Sequence, residues 1–132
     1  MGFWTSVDRI RTTAMGTTGS AHPRYDDIRR RRLEERRAAA LRALKQADAV
    51  ARRAGGRLVV FGSLAEGGFH ERSDLDVALI GVPAGMDSDV AADVDTLLTV
   101  AGFEADVIPD RFLSPSLRDR VMRHGCEPGA LG

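Results

Sequence analysis

Two aspartates, Asp74 and Asp76, stand two positions apart in the run Ser73-Asp74-Leu75-Asp76-Val77-Ala78-Leu79-Ile80. In a strand, residues i and i+2 project from one face, so both carboxylates point one way while Leu75, Val77 and Leu79 point the other. Their Cα atoms then lie roughly 6–7 Å apart. Like charges held that close oppose each other's ionisation unless a cation or a shared proton intervenes. Oxygen-only ligation by carboxylates is what Mg²⁺ prefers. Taken alone, such a pair is more often a solvated turn or a cap. Upstream, however, the apolar run Leu58-Val59-Val60-Phe61 stops at Gly62-Ser63. A glycine directly after a strand lets the backbone turn tightly and approach a ligand, and Ser63 can cap a short helix through Leu64-Ala65-Glu66. Free N–H groups there attract phosphate oxygens. Phosphate at one end and metal at the other is the layout of a nucleoside triphosphate site.

The elements that must position these groups follow from periodicity. A strand over 58–61, a short helix over 63–67, a loop through Arg72 and a strand over 75–80 lead to Gly81 and Pro83, which close the second strand. Asp87 to Val100 reads as a helix with the stripe Val90, Val94, Leu97 and Leu98; its acids Asp87, Asp89, Asp93 and Asp95 suit the helix dipole and a solvated face. A third strand near Glu104 to Pro109 carries Asp106, with Glu104 on the same strand face and Asp110 four residues on as rival carboxylates. Ser116 to His124 forms the last helix, ending at Gly125.

Ahead of this core, 57–125, lies a long helix over 26–54. Pro23, Asp26 and Asp27 suit its start and Gly55-Gly56 its end. Leu33, Ala40, Leu44, Ala47 and Ala51 form its apolar stripe, and arginines such as Arg29 to Arg32, Arg36 and Arg37 fill the other faces. Interleaved acids and the near absence of aromatic residues, Tyr25 apart, favour a solvated helix covering a sheet face; contact with an acidic partner protein or RNA is the alternative. Residues 1–22 read as a flexible tail, with Phe3 and Trp4 as a docking candidate and Met15 as an alternative start. Residues 23–132 read as a single domain of α/β (α+β) class, a short mixed sheet with helices packed on one side.

A chain of 132 residues with 43% hydrophobic content suits one compact domain. Its 19 basic and 19 acidic residues balance overall, but most arginines precede residue 58 and most acids follow it. One cysteine, Cys126, excludes an internal disulfide, and three histidines, His22, His70 and His124, make a zinc site improbable. No apolar run reaches the ~18 residues of a membrane span, and no secretory signal is visible, so cytoplasmic residence is expected.

The residues Gly62-Ser63, Ser73-Asp74-Leu75-Asp76 and Asp106, over about 57 to 125, resemble the signature of the minimal nucleotidyltransferases of the DNA polymerase beta superfamily. The resemblance implies the nucleotidyltransferase fold and two-metal nucleotidyl transfer. Asp74 and Asp76 would share two Mg²⁺ ions, Asp106 would hold the nucleophile-side ion and help deprotonate the acceptor hydroxyl, and Gly62 and Ser63 would bind the β- and γ-phosphates of ATP or another triphosphate. Ser73 and Arg72 are further nucleotide-binding candidates, Arg72 through a phosphate. His70 reads as a loop residue and Cys126 as a spectator, with no means of activation. Small free-standing members are similar to the antitoxin half of HEPN/MNT toxin–antitoxin pairs, which implies a HEPN-type toxin tyrosine as acceptor. A transfer RNA end or an antibiotic hydroxyl is the other acceptor class, and a catalytically silent module that binds a partner through the arginine-rich helix is the alternative function. One departure bears on chemistry: many members carry arginine in Gly-Ser-x-Ala-Arg-Gly, whereas this chain has Glu66 there, removing a phosphate partner.

Overall fold

The computed structural model describes residues 23–132. The expected tail, with Phe3, Trp4 and Met15, lies outside the described residues. The chain divides into two compact units, one up to Arg32 and one from Leu33 to Gly132. In the first, Arg30 pairs with Asp27 at 3.0 Å and Arg29 lies over the Tyr25 ring.

Helix α1 spans Pro23–Arg53, three residues earlier at its start than the sequence suggests. Strand β1 (Arg57–Phe61), helix α2 (Ser63–Glu66), strand β2 (Leu75–Ile80), helix α3 (Asp87–Val100), strand β3 (Ala105–Pro109) and helix α4 (Pro115–His124) follow, with short 3₁₀ turns at Asp110–Phe112 and Pro128–Ala130. The strand order is β1-β2-β3. β1 and β2 run antiparallel, whereas α3 carries the chain across so that β2 and β3 run parallel. Beyond α4 the chain returns to β1, where Val60 and Cys126 exchange backbone hydrogen bonds of 2.7 and 2.8 Å. Cys126 therefore serves through its backbone, covering what would be an open strand edge.

Alternation along the strands produces two cores. Leu58, Val60, Leu75, Val77 and Leu79 face α1 and α3, against Ala40, Leu44, Ala47, Ala51, Val90, Val94 and Leu98. Val59, Phe61 and Ala78 face the opposite way, against Leu113, Leu117 and Val121. The expectation of helices on one side of the sheet is thus corrected: α4 packs on the second face. That face is small, and the apolar spacing of Leu113, Leu117 and Val121 is what covers it.

Two other expectations change. Arg36 does not simply face solvent; its guanidinium donates to the Glu71 and Gly102 carbonyls at 2.9 and 3.2 Å and lies 4.3 Å from the Phe103 ring centroid. Arg37 likewise donates to the Leu131 carbonyl. Asp87 is not on a solvated face. It is 1% exposed and accepts two hydrogen bonds from Arg111, at 2.7 and 3.1 Å. Those hydrogen bonds hold the Asp87 carboxyl below its usual range. A depressed folded-state value means that the contribution to stability is complete above the unfolded value and is lost as pH falls through the folded one. Asp87→Asn is therefore expected to lower the thermal midpoint at neutral pH by several degrees, and the gap from wild type to close on acidification. Melting curves across pH 3–7 check this.

Among the described residues no helix is long and apolar enough to cross a membrane.

Candidate functional site

β1 ends at Phe61 because Gly62 turns the chain with φ 76° and ψ −154°, a conformation open essentially to glycine alone. The turn also makes room for a carboxylate. A Cβ at Gly62 would collide with Asp76 Oδ2. Asp76 pairs with Phe61 across the antiparallel ladder and with Asp106 across the parallel one. Adjacent strands are about 4.8 Å apart and paired residues share a face, so Asp76 and Asp106 stand side by side on the face that α4 covers further along.

The electrostatics follow from that register. Burial, and next to it the neighbouring Asp106 charge, hold the Asp76 carboxyl above the usual carboxylate range. Asp74 and Glu66 push the same way more weakly, while Arg120 opposes them. A carboxylate whose neighbours resist its ionisation is in the condition that a bound cation relieves.

The remaining sequence candidates divide into those near this pair and those engaged elsewhere. Asp74 lies exposed just before β2, which begins at Leu75 and not at Asp74, so it acts from the strand's entrance and not from within the ladder. Asp106 is the third carboxylate of the group. Of the rival carboxylates, Asp110 accepts the Gly81 N–H at 3.1 Å, beyond the C-terminal end of β2, while Glu104 lies exposed just before β3, where its backbone carbonyl accepts the Leu75 N–H. Ser63 opens α2 and is half-buried beside Gly67, Gly68 and Phe69. Ser73 is committed to its loop, its Oγ accepting the His70 N–H at 2.9 Å. Arg72 is exposed in the same turn, with its backbone N–H given to His70 Nδ1.

Two residues come into the site that sequence reasoning did not assign there. Glu66 Oε2 accepts the Gly62 N–H at 2.8 Å, and Arg120, from α4, donates its Nε to the same oxygen at 2.9 Å. The Gly62 hydrogen bond, with Arg120 behind it, keeps the Glu66 carboxyl below its usual range. Arg120 also lies 5.9 Å from the Phe61 ring centroid, next to the residue that pairs with Asp76. Only the packing of α4 on β1 brings it here. In sequence, Arg120 is one of several charged residues in a surface helix, and the single usable signal was its place beside the apolar Val121.

Among the described residues no three His, Cys, Asp or Glu side chains converge as a group that could hold a metal ion. Asp76 and Asp106, paired across β2 and β3 and offering oxygen donors alone, are the residues that would hold a divalent metal ion, with Asp74 adding negative charge.

The nucleotidyltransferase domain family model matches residues 41–125, more than half of the chain. This chain belongs to that family. A solved structure described as "Structure of putative minimal nucleotidyltransferase" matches at 29% sequence identity over 70% of this chain and 89% of its own, with a TM-score of 0.45. No curated protein matches the chain at a significant level. Nucleotidyl transfer is thus the general chemistry of the domain, and nucleotidyltransferase domains use nucleoside triphosphates and divalent metal ions. The matched span runs from Leu41 through both aspartate-bearing strands to Gly125, so it contains Gly62, Asp74, Asp76, Asp106 and Arg120 alike.

Proposed function

We propose that this nucleotidyltransferase moves a nucleoside monophosphate, AMP from ATP in the first instance, to a hydroxyl of a partner protein in a Mg²⁺-dependent reaction. The observation that carries the reading is the seating of Asp76 between Gly62 and Asp106. Nucleotidyl transfer accumulates negative charge around the α-phosphorus and on the leaving pyrophosphate. Divalent ions neutralise that charge and lower the pKa of the attacking hydroxyl. Asp74, Asp76 and Asp106 would hold them, Asp106 taking the ion on the nucleophile's side. Asp106 is exposed, so it can also take the proton from that hydroxyl. Gly62 and Ser63 would orient the β- and γ-phosphates, leaving the α-phosphate toward the carboxylates.

The HEPN-type toxin of a toxin–antitoxin pair, modified on a tyrosine, is the partner this reading favours; an RNA hydroxyl is the other acceptor class. A second reading is favoured by one specific observation. Glu66 fills the hydrogen-bonding position at Gly62, as a chain that binds its partner without transferring anything could tolerate.

Incubating the purified chain, with and without the product of the neighbouring reading frame, with Mg²⁺ and α-labelled ATP, GTP, CTP or UTP separates the two. Transfer predicts label on a protein or RNA that vanishes in Asp74→Ala and Asp76→Ala. Partner neutralisation that persists in both variants, with no label moved, supports the binding module.

A further inference from the structure

We infer that Arg120 is the residue that grips the terminal phosphates of the triphosphate, and that Glu66 is the internal anion it releases to do so. The inference rests on the nucleotidyl-transfer reading and adds to it a specificity residue that discriminates triphosphate from monophosphate.

Three elements meet at one oxygen. Glu66 Oε2 takes the Gly62 N–H at 2.8 Å and the Arg120 Nε–H at 2.9 Å, so two donors from separate parts of the chain converge on a single anionic atom. An oxygen of a terminal phosphate set on Gly62 would meet the same two donors. Arg120 thus brings a guanidinium from α4 to the Gly62 N–H, where position 66 on α2 offers a carboxylate and not an arginine. Its position beside Phe61, the cross-strand neighbour of Asp76, puts it at the edge of the carboxylate group and not within it.

Magnitudes favour the exchange. The Glu66 side chain is 27% exposed and that of Arg120 48%, and pairs in such surroundings contribute little net free energy. Arginine on a phosphate makes shorter, charge-assisted and often bidentate bonds, and a triphosphate terminus carries more charge than one carboxylate. Releasing Glu66 to solvent thus costs less than the phosphate contact returns. The rival account is that Arg120 and Glu66 merely staple α4 to α2. A staple would affect folding and all ligands alike; a phosphate grip affects only ligands that possess a β- or γ-phosphate.

The test is calorimetric titration of the folded chain with ATP and with AMP in the presence of Mg²⁺, for wild type, Arg120→Gln, Arg120→Lys and Glu66→Gln. Arg120→Gln is expected to weaken ATP about tenfold or more while leaving AMP within about twofold. Arg120→Lys restores part of the loss, and Glu66→Gln tightens ATP several-fold. Thermal melts of each variant report folding separately. An unchanged ratio of ATP to AMP affinity in Arg120→Gln overturns the inference, whether both affinities hold or both fall. If ATP binding persists in that variant yet label transfer still requires Asp76, only the assignment of Arg120 fails. If neither wild type nor Glu66→Gln binds any nucleoside triphosphate, the transfer reading fails with it.

Discussion

Asp76→Asn is expected to lower nucleotidyl transfer roughly 10²–10³-fold or more, the range seen when one charge-stabilising group is removed from a reacting centre, and at the same time to raise the thermal midpoint of the metal-free chain. The two effects have one origin. Burial and the Asp106 charge hold the Asp76 carboxyl above its usual range. A raised folded-state value means that, between the unfolded and folded values, the native chain binds more protons than the unfolded one, so stability falls as pH rises through that window. The penalty is complete above the folded value and disappears as pH drops below the unfolded one. Asparagine has no such penalty. The midpoint of Asp76→Asn should therefore exceed that of wild type at neutral pH by a few degrees, on the order expected for a small domain, and the two should converge in acid. Adding Mg²⁺ should raise the wild-type midpoint and leave that of the variant nearly unchanged, because a ligand stabilises only the state that binds it. Scanning calorimetry at pH 4, 6 and 8, with and without Mg²⁺, decides the matter. A variant less stable than wild type at neutral pH without metal would mean that Asp76 is a structural hydrogen-bonding residue.

The strands and α3 were legible because apolar periodicity and glycine punctuation are local: Leu75, Val77 and Leu79 alternate against Asp76 and Ala78, and α3, Asp87–Val100, encloses its stripe from Val90 to Leu98. Asp106 was legible as a strand residue, but its pairing with Asp76 comes from the parallel register, which is set by the α3 crossover and leaves no local trace. Two features were hidden for a related reason. Arg120 reaches Glu66 across 54 positions of sequence, through the packing of Leu117 and Val121 on β1. Asp87 looks like its neighbours Asp89 and Asp93 in a surface helix start, yet it alone of the three meets the Arg111 guanidinium and is buried by it. Pairings between distant charged residues are invisible to periodicity, because charge marks a face as solvated unless a partner is known. In sequence the glutamate at position 66 marks only a missing arginine; its contacts with both Gly62 and Arg120 exist only in the fold.

Gly62→Ala is the substitution expected to damage both fold and chemistry, and it separates two physical causes. The φ of 76° with ψ of −154° is strained for any L side chain, at a cost on the order of 1–3 kcal/mol. In addition, the new methyl would occupy the position of Asp76 Oδ2. The Asp76 carboxyl must then rotate or the β1 end must shift, and a displacement of about 1 Å at a reacting centre can cost a hundredfold in rate. The thermal midpoint should fall by roughly 10 °C for a domain of this size, and transfer should fall at least about a hundredfold. Comparing Gly62→Ala, Asp76→Ala and the double variant apportions the loss, since residues in contact depart from additivity. Removing the Asp76 side chain abolishes the collision but not the backbone strain. The double variant should therefore melt above Gly62→Ala, recovering the part of the loss due to contact while transferring no label. Strict additivity of the two stability changes would show that the Asp76 carboxylate does not rest on Gly62. The wall of the carboxylate site would then have to be sought elsewhere along β1.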